Sequence, residues 1–233
     1  MNINQLQNML TTLCNANPQK LAAWLDEDKF VIQNCLLLLI LCSSFYGASL
    51  GLWRDPLQSF YVAVKFPLLI LLTCSCNAVI NGMLAQLLGA PISFRQSFLS
   101  VIISFTLLAV ILASLTPLIL FLLYNLPAMA SASAKEAHGI FLLTNVVVIS
   151  FAGVIANLRL FALLEYLCAD RIKAMQILIS WLAANLFLGC QLSWNLRPFF
   201  GSPHLDVSFV RDDPFDSSFY ESVFTILMNY LGD

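Results

Sequence analysis

The sequence predicts an all-α fold: a polytopic transmembrane helical bundle of about five spanning helices, with interfacial N- and C-terminal helices. Three observations predict it. Only 10% of the 233 residues are charged, against about 25% in an ordinary soluble domain. Hydrophobic residues make up 60%. The charges that exist bound five long windows without any Asp, Glu, Lys or Arg: 24 residues between Lys29 and Arg54, 29 between Lys65 and Arg95, 39 between Arg95 and Lys135, 22 between Glu136 and Arg159, and 23 between Lys173 and Arg197. Each is long enough for the roughly 20 apolar residues that carry a helix across a ~30 Å hydrocarbon core. A soluble globular enzyme, a disordered chain and a disulfide-stapled secreted domain are excluded. The chain divides into an amphipathic N-terminal arm (1–29), a five-helix transmembrane domain (30–200) and an acidic C-terminal tail with a short helix (201–233).

In the arm, Ile3, Leu6, Leu10 and Leu13 share one helical face opposite Asn4, Gln5 and Asn8. Pro18 separates them from a second apolar patch, Leu21, Trp24 and Leu25. Both pieces are too short to span. They are expected to lie among the headgroups or to pack as an arm, and their basic anchoring face is thin. No cleavable signal peptide is legible, so the first span is expected to do the targeting.

The first span is expected from Val31 to Trp53. Ser43, Gly47 and Gly51 recur at intervals of four, a stripe of small residues that lets another helix backbone come close. An intramolecular seam is the preferred reading and a homodimer face the other. Asp55-Pro56 ends the segment. The second span is expected to begin near Pro67, where a proline suits a first turn, and to reach Gly89. It carries Asn77 and Asn81 on one face. Amides inside a membrane commonly bond neighbouring helices; a polar pore lining is the sharper reading.

The third span is expected after Pro91 and Arg95, running to about Tyr124, with Pro117, preceded by Ser114 and Thr116, as a kink or gating hinge. Asn125–Lys135, with Pro127, Ser131 and Ser133, reads as a loop. The fourth is expected from Gly139 to Leu158, stopped by Arg159. Leu160–Met175 then reads as an interfacial turn with an amphipathic continuation. The fifth is expected from Ile177 to Leu196, with Gln191, Ser193 and Asn195 in its last turns. Beyond Arg197-Pro198 acids dominate: Asp206, Asp212, Asp213, Asp216, Glu221 and Asp233 against Arg197 and Arg211. Ser218-Phe219-Tyr220-Glu221 is a capping-box pattern, and a short helix through Tyr230 should follow it.

With the N-terminus cytoplasmic, six Lys and Arg fall inside and five outside, which leans toward N-in. The expected location is a bacterial inner membrane.

No constellation of acid, base and nucleophile is present, and a non-enzyme is expected. GxGxxG, P-loop, HExxH and CxxC motifs are absent. Cys74-Ser75-Cys76 points its two thiols to opposite sides of a helix. His138 and His204 have no metal-ligand spacing. Neither a metal nor another cofactor is expected, and the lack of a basic cluster gives nucleic acid no footprint. The lipid bilayer is the expected partner, with a homo-oligomer or a membrane complex partner beside it.

Two features invite a functional reading. Lys65 sits at the edge of the second window, where a lysine can snorkel. Alternatively it forms a charge cluster with Arg54, Arg197 and the tail, paired to Glu221 or Asp216. The run Trp194-Asn195-Leu196-Arg197-Pro198-Phe199-Phe200-Gly201-Ser202-Pro203 reads either as an interfacial anchor or as a fixed loop that docks on the tail or a partner.

Tyr46-Gly47-Ala48-Ser49-Leu50-Gly51, Lys65-Phe66-Pro67-Leu68-Leu69, Ser114-Leu115-Thr116-Pro117 and Arg197-Pro198-Phe199-Phe200-Gly201-Ser202-Pro203 resemble a poorly characterised family of bacterial five-span membrane proteins, over residues 40–225. The layout with its polar N-terminal arm is also similar to Yip1-type proteins. That second likeness implies membrane organisation and transfers no catalytic residue. The expectation is a non-catalytic membrane subunit or scaffold acting through oligomerisation or partner binding at its tail and polar loops. The alternative is a channel or small-solute transporter with a path lined by Asn77, Asn81, Gln191 and Asn195.

Overall fold

A computed structural model describes residues 3–15, 17–26, 29–127, 133–201 and 206–231. Ser131, Ser202, Pro203, His204 and Asp233 lie outside the described residues. Eight helices are described: α1 (Ile3–Asn15), α2 (Pro18–Asp26), α3 (Lys29–Leu52), α4 (Pro56–Leu87), α5 (Phe94–Asn125), α6 (Ala134–Cys168), α7 (Arg171–Asn195) and α8 (Phe219–Leu231). Five of them, α3 to α7, are long and apolar enough to cross a membrane. The protein is an all-α polytopic membrane bundle with short helices at both ends.

The helix ends follow from local chemistry. Asp55 accepts from the Leu57 N–H at 2.7 Å, and Pro56, which has no N–H to satisfy, takes the first turn of α4. Ser93 and Gln96 close a capping box on α5. Ala169, left-handed at φ 51°, ends α6, and Asp170 caps α7 through the Ile172 and Lys173 N–H groups at 2.9 and 3.2 Å. The expected capping box on α8 forms: Ser218 N–H donates to Glu221 at 2.7 Å, and Glu221 N–H donates to Ser218 Oγ at 3.0 Å.

Two boundaries differ from expectation. The second span begins at Pro56, and Pro67 lies inside it. The Asp55 cap is a stronger start signal than a proline further on, and the polar residues between them, Gln58 and Lys65, are buried rather than looped out. A proline inside a helix forfeits one backbone bond, a loss tolerated in bundles where neighbours hold the backbone. The fourth span does not stop at Arg159. It continues to Cys168, with Leu160, Leu163 and Leu164 buried. Arg159 is exposed at the edge of the buried face, beside Ala156 and Leu163, so the helix continues past it without burying the charge. The expected interfacial stretch shrinks to the turn at Ala169-Asp170. Pro117 likewise lies within a continuous α5.

α3 packs on α4 and α5; α4 also meets α5 and α7; α6 meets α5 and α7. The buried residues of α6, including Phe141, Asn145, Val148, Ala152 and Ala156, recur every three or four positions, one face of a helix. The opposite face shows Leu143, Val147, Val154 and Leu158 outward, as a lipid-facing surface requires. On α7 only Ala174, Ile177 and Trp181 are buried, so this helix lies at the edge of the bundle. The arm takes the packed form. Met9, Leu13, Leu21 and Leu25 are buried in the same core as Ile102 of α5 and Leu163 of α6. Their apolar faces meet protein instead of headgroups.

Candidate functional site

α3 and α4 form a tight hairpin. A Cβ on Gly51 would stand 2.5 Å from the Gln58 carbonyl oxygen, and one on Gly47 would stand 2.7 Å from that of Val62. The small-residue stripe is thus turned toward α4, with Ser43 buried on α3. Ser59 Oγ donates across the seam to the Ala48 carbonyl at 2.7 Å. Deeper in, Tyr46 O–H donates to Asn145 Oδ1 at 2.8 Å, and Asn145 Nδ2 to the Phe141 carbonyl at 2.8 Å. That pair ties α3 to α6 through two fully buried side chains.

Along α4, Gln58, Lys65, Thr73, Asn77 and Asn81 are all buried. α7 and the segment after it run antiparallel to this row. Trp181 Nε1 donates to the Asn81 backbone carbonyl at 2.8 Å. Asn77 Nδ2 donates to Asn185 Oδ1 at 2.9 Å and to the Ala184 carbonyl at 3.2 Å. Gly189 passes Thr73. At the end of the row stands Lys65, fully buried. Its Nζ donates to the Pro198 carbonyl at 2.7 Å and to the Leu196 carbonyl at 3.3 Å. It also lies 5.6 and 5.2 Å from the ring centres of Phe199 and Phe209, within cation–π range. Gln58 Nε2 donates to the same Pro198 carbonyl at 2.9 Å.

The lysine is therefore neither snorkelling nor held by an acid. The expected partners are elsewhere: Glu221 closes its own helix cap, and Asp216 is exposed. The physical reason is where α4 starts. Because it starts at Pro56, Lys65 lies more than two turns inside it. Carbonyls at a helix end have no intrahelical donor, and the chain leaving α7 presents its own over the amine.

The rest of the C-terminal segment is fastened in the same way. Trp194 Nε1 donates to the Ser217 carbonyl at 2.9 Å and lies 3.2 Å from Ser217 Oγ. The Arg197 guanidinium stacks on the Trp194 ring at 3.5 Å. Burial first, and the Arg211 cation second, hold Arg197 below the usual guanidinium range. Phe219 N–H donates to Gln191 Oε1 at 3.1 Å, and the Asn195 amide lies 3.0 Å from Gln191 Nε2. Tyr220 O–H donates to the Phe187 carbonyl, and the two rings stack at 4.8 Å. Phe200 meets Phe141 edge-on at 5.7 Å. Gly201, at φ 69°, passes Arg54 so closely that a Cβ would stand 2.7 Å from Arg54 Cγ. Arg54, Lys65 and Arg197 thus border one segment.

The four amides expected to share a path fall into two groups. Asn77 and Asn81 face the middle of α7; Gln191 and Asn195 hold the tail. His138 stacks on Trp53 at 5.5 Å, and no group of three or more metal-ligating side chains occurs among the described residues. Sequence reasoning missed Gln58, Tyr46, Asn145 and Trp181. Gln58 carried a signal, since it precedes Lys65 by seven residues and shares its face once Asp55-Pro56 is read as a helix start. Tyr46 and Asn145 carried none, being 99 positions apart. No known family, no curated protein and no solved structure matches this chain.

Proposed function

We propose that the protein is a non-catalytic integral membrane subunit that holds a partner chain, or further copies of itself, at the end where its C-terminal segment is fastened. One observation carries the reading. A buried lysine, a glutamine, a tryptophan and a tyrosine pin the chain at Pro198, Ser217 and Tyr220 to the bundle. Asp206, Asp212, Asp213, Phe215 and Asp216 are left outward on that fixed base. An acidic surface with an exposed aromatic suits recognition of a basic, partly apolar surface. The test is native mass measurement of the whole chain extracted in a mild detergent. The expected result is a complex that is lost when Phe215→Ser is combined with Asp212→Asn and Asp213→Asn. A wild-type chain that is monomeric and alone refutes the proposal. The membrane in this reading is a bacterial inner membrane with the N-terminus cytoplasmic, an orientation that labelling of single cysteines in sealed vesicles tests.

A second reading, a channel or small-solute transporter, has one observation in its favour. The Oδ1 atoms of Asn77 and Asn81 are buried without a hydrogen-bond partner, and α7 beside them is held by few buried residues. Flux through proteoliposomes that is abolished by Asn77→Leu supports it. The absence of any flux under ion and solute gradients removes it.

A further inference from the structure

A small cavity lies where the N-terminal arm meets the bundle. Leu13 of α1, Leu21 of α2, Ser100 and Ser104 of α5, and Ala156 and Arg159 of α6 line it. Three features, two in this lining and one beside it, are unusual for an apolar seam. Ser100 is fully buried and its hydroxyl has no partner, and the same holds for Ser97, one turn earlier on α5. Helical serines and threonines in membranes ordinarily turn the hydroxyl onto a carbonyl three or four residues back, as Thr73, Thr106 and Ser180 do in this protein. Arg159 is the third feature. It is an exposed guanidinium within a spanning helix, and it has neither an acid nor a carbonyl partner among the described residues. A permanent cation at that position costs free energy unless an anion or water meets it.

Depth identifies the occupant. The 32 residues of α5 are about 48 Å long at 1.5 Å per residue, against a hydrocarbon core of about 30 Å. Centred on the core, the helix overhangs it by about 9 Å at each end. Ser100 is six residues from Phe94, also about 9 Å. The cavity therefore stands at the boundary between hydrocarbon and headgroups, the level at which phospholipids carry their glycerol and phosphate oxygens.

We propose that this junction is a binding site for an anionic phospholipid. The phosphate meets the exposed Arg159 guanidinium, and a single headgroup or glycerol-ester oxygen fills the cavity, which at about 10 Å³ has room for one such atom, and accepts from Ser100. Because Leu13 and Leu21 form the other wall, the bound lipid staples the arm to the bundle. Guanidinium is suited to the task, since it forms two-pronged bonds to phosphate and keeps its charge.

The test uses the whole chain in a neutral detergent, titrated with short-chain phosphatidylglycerol, short-chain phosphatidylcholine and inorganic phosphate. Bound lipid is read by native mass spectrometry, and free phosphate by equilibrium dialysis. Wild type is expected to bind phosphatidylglycerol saturably, at least about tenfold more tightly than phosphatidylcholine, with no saturable inorganic phosphate; a charged hydrogen bond is worth this much. Arg159→Gln is expected to remove the headgroup preference, and Ser100→Ala to weaken it. Lys135→Gln, at the far end of α6, is expected to leave it unchanged. Equal binding of the two lipids by wild type overturns the proposal, and this measurement stands even if Arg159→Gln does not fold. Phosphatidylglycerol binding by a folded Arg159→Gln at wild-type strength also overturns it. Inorganic phosphate binding as tightly as the lipid overturns the lipid assignment.

Discussion

Replacing Gly51 by alanine tests the α3–α4 seam with one carbon atom. The new Cβ would stand 2.5 Å from the Gln58 carbonyl oxygen and 2.7 Å from the Ser59 nitrogen. Both atoms are backbone, so no side chain can swing aside. Ordinary contact begins near 3.4 Å, and the two helices must separate by roughly an ångström. Over-packing of this kind costs about 1–3 kcal/mol. The separation also stretches the 2.7 Å bond from Ser59 Oγ to the Ala48 carbonyl, worth about 0.5–1.5 kcal/mol. Alanine returns up to about 1 kcal/mol as a better helix former. The net expectation is a loss of about 1–3 kcal/mol. The control is Gly153→Ala, whose Cβ would meet nothing within 4 Å. It should be neutral or slightly stabilising. The assay is reversible unfolding of the whole chain in mixed micelles, followed by circular dichroism. Gly51→Ala as mild as Gly153→Ala would refute the close backbone approach and the argument built on it.

Tyr46→Phe leaves Asn145 Oδ1 buried without its 2.8 Å donor and should cost about 1–3 kcal/mol in the same assay; a double-mutant cycle with Asn145→Leu should show strong coupling. Lys65→Met keeps the side-chain volume but removes the donor to Pro198 and Leu196. Hydrogen exchange should rise in residues 196–201 while the core of α5 stays protected, and an unchanged profile counts against the clamp. Trp194→Phe loses both contacts to Ser217. Limited proteolysis between residues 206 and 217 should quicken while the spans remain intact.

The spans and the capping box on α8 were legible because their causes are local. The cost of placing a charge in hydrocarbon is large and accrues residue by residue, so five charge-free windows point to five crossings whatever their neighbours do. Small residues at intervals of four similarly announce a close approach, and Gly47 and Gly51 lie against the α4 backbone. The limits of the helices were less legible. Arg159 reads as a stop in one dimension, but on a helix it occupies a single point of the circumference, and α6 continues past it with the guanidinium exposed. Lys65 was recognisable as unusual and still could not be assigned. Its bonds go to carbonyls of Leu196 and Pro198, 131 and 133 positions away. A backbone carbonyl is the same at every residue, so no side-chain pattern marks the ones that an amine will find.

Charge, hydropathy and small-residue spacing by themselves determined that this chain is a membrane bundle of five spans, where most of its turns fall, and which face of α3 is smooth. Only the tertiary structure decided that the arm packs on the bundle, that Tyr46 meets Asn145, and that a lysine is closed over by the chain leaving α7. The difference is physical. Transfer into the bilayer is a sum over residues read in order, whereas a buried hydrogen bond depends on which two distant segments the packed helices bring to within 3 Å or so.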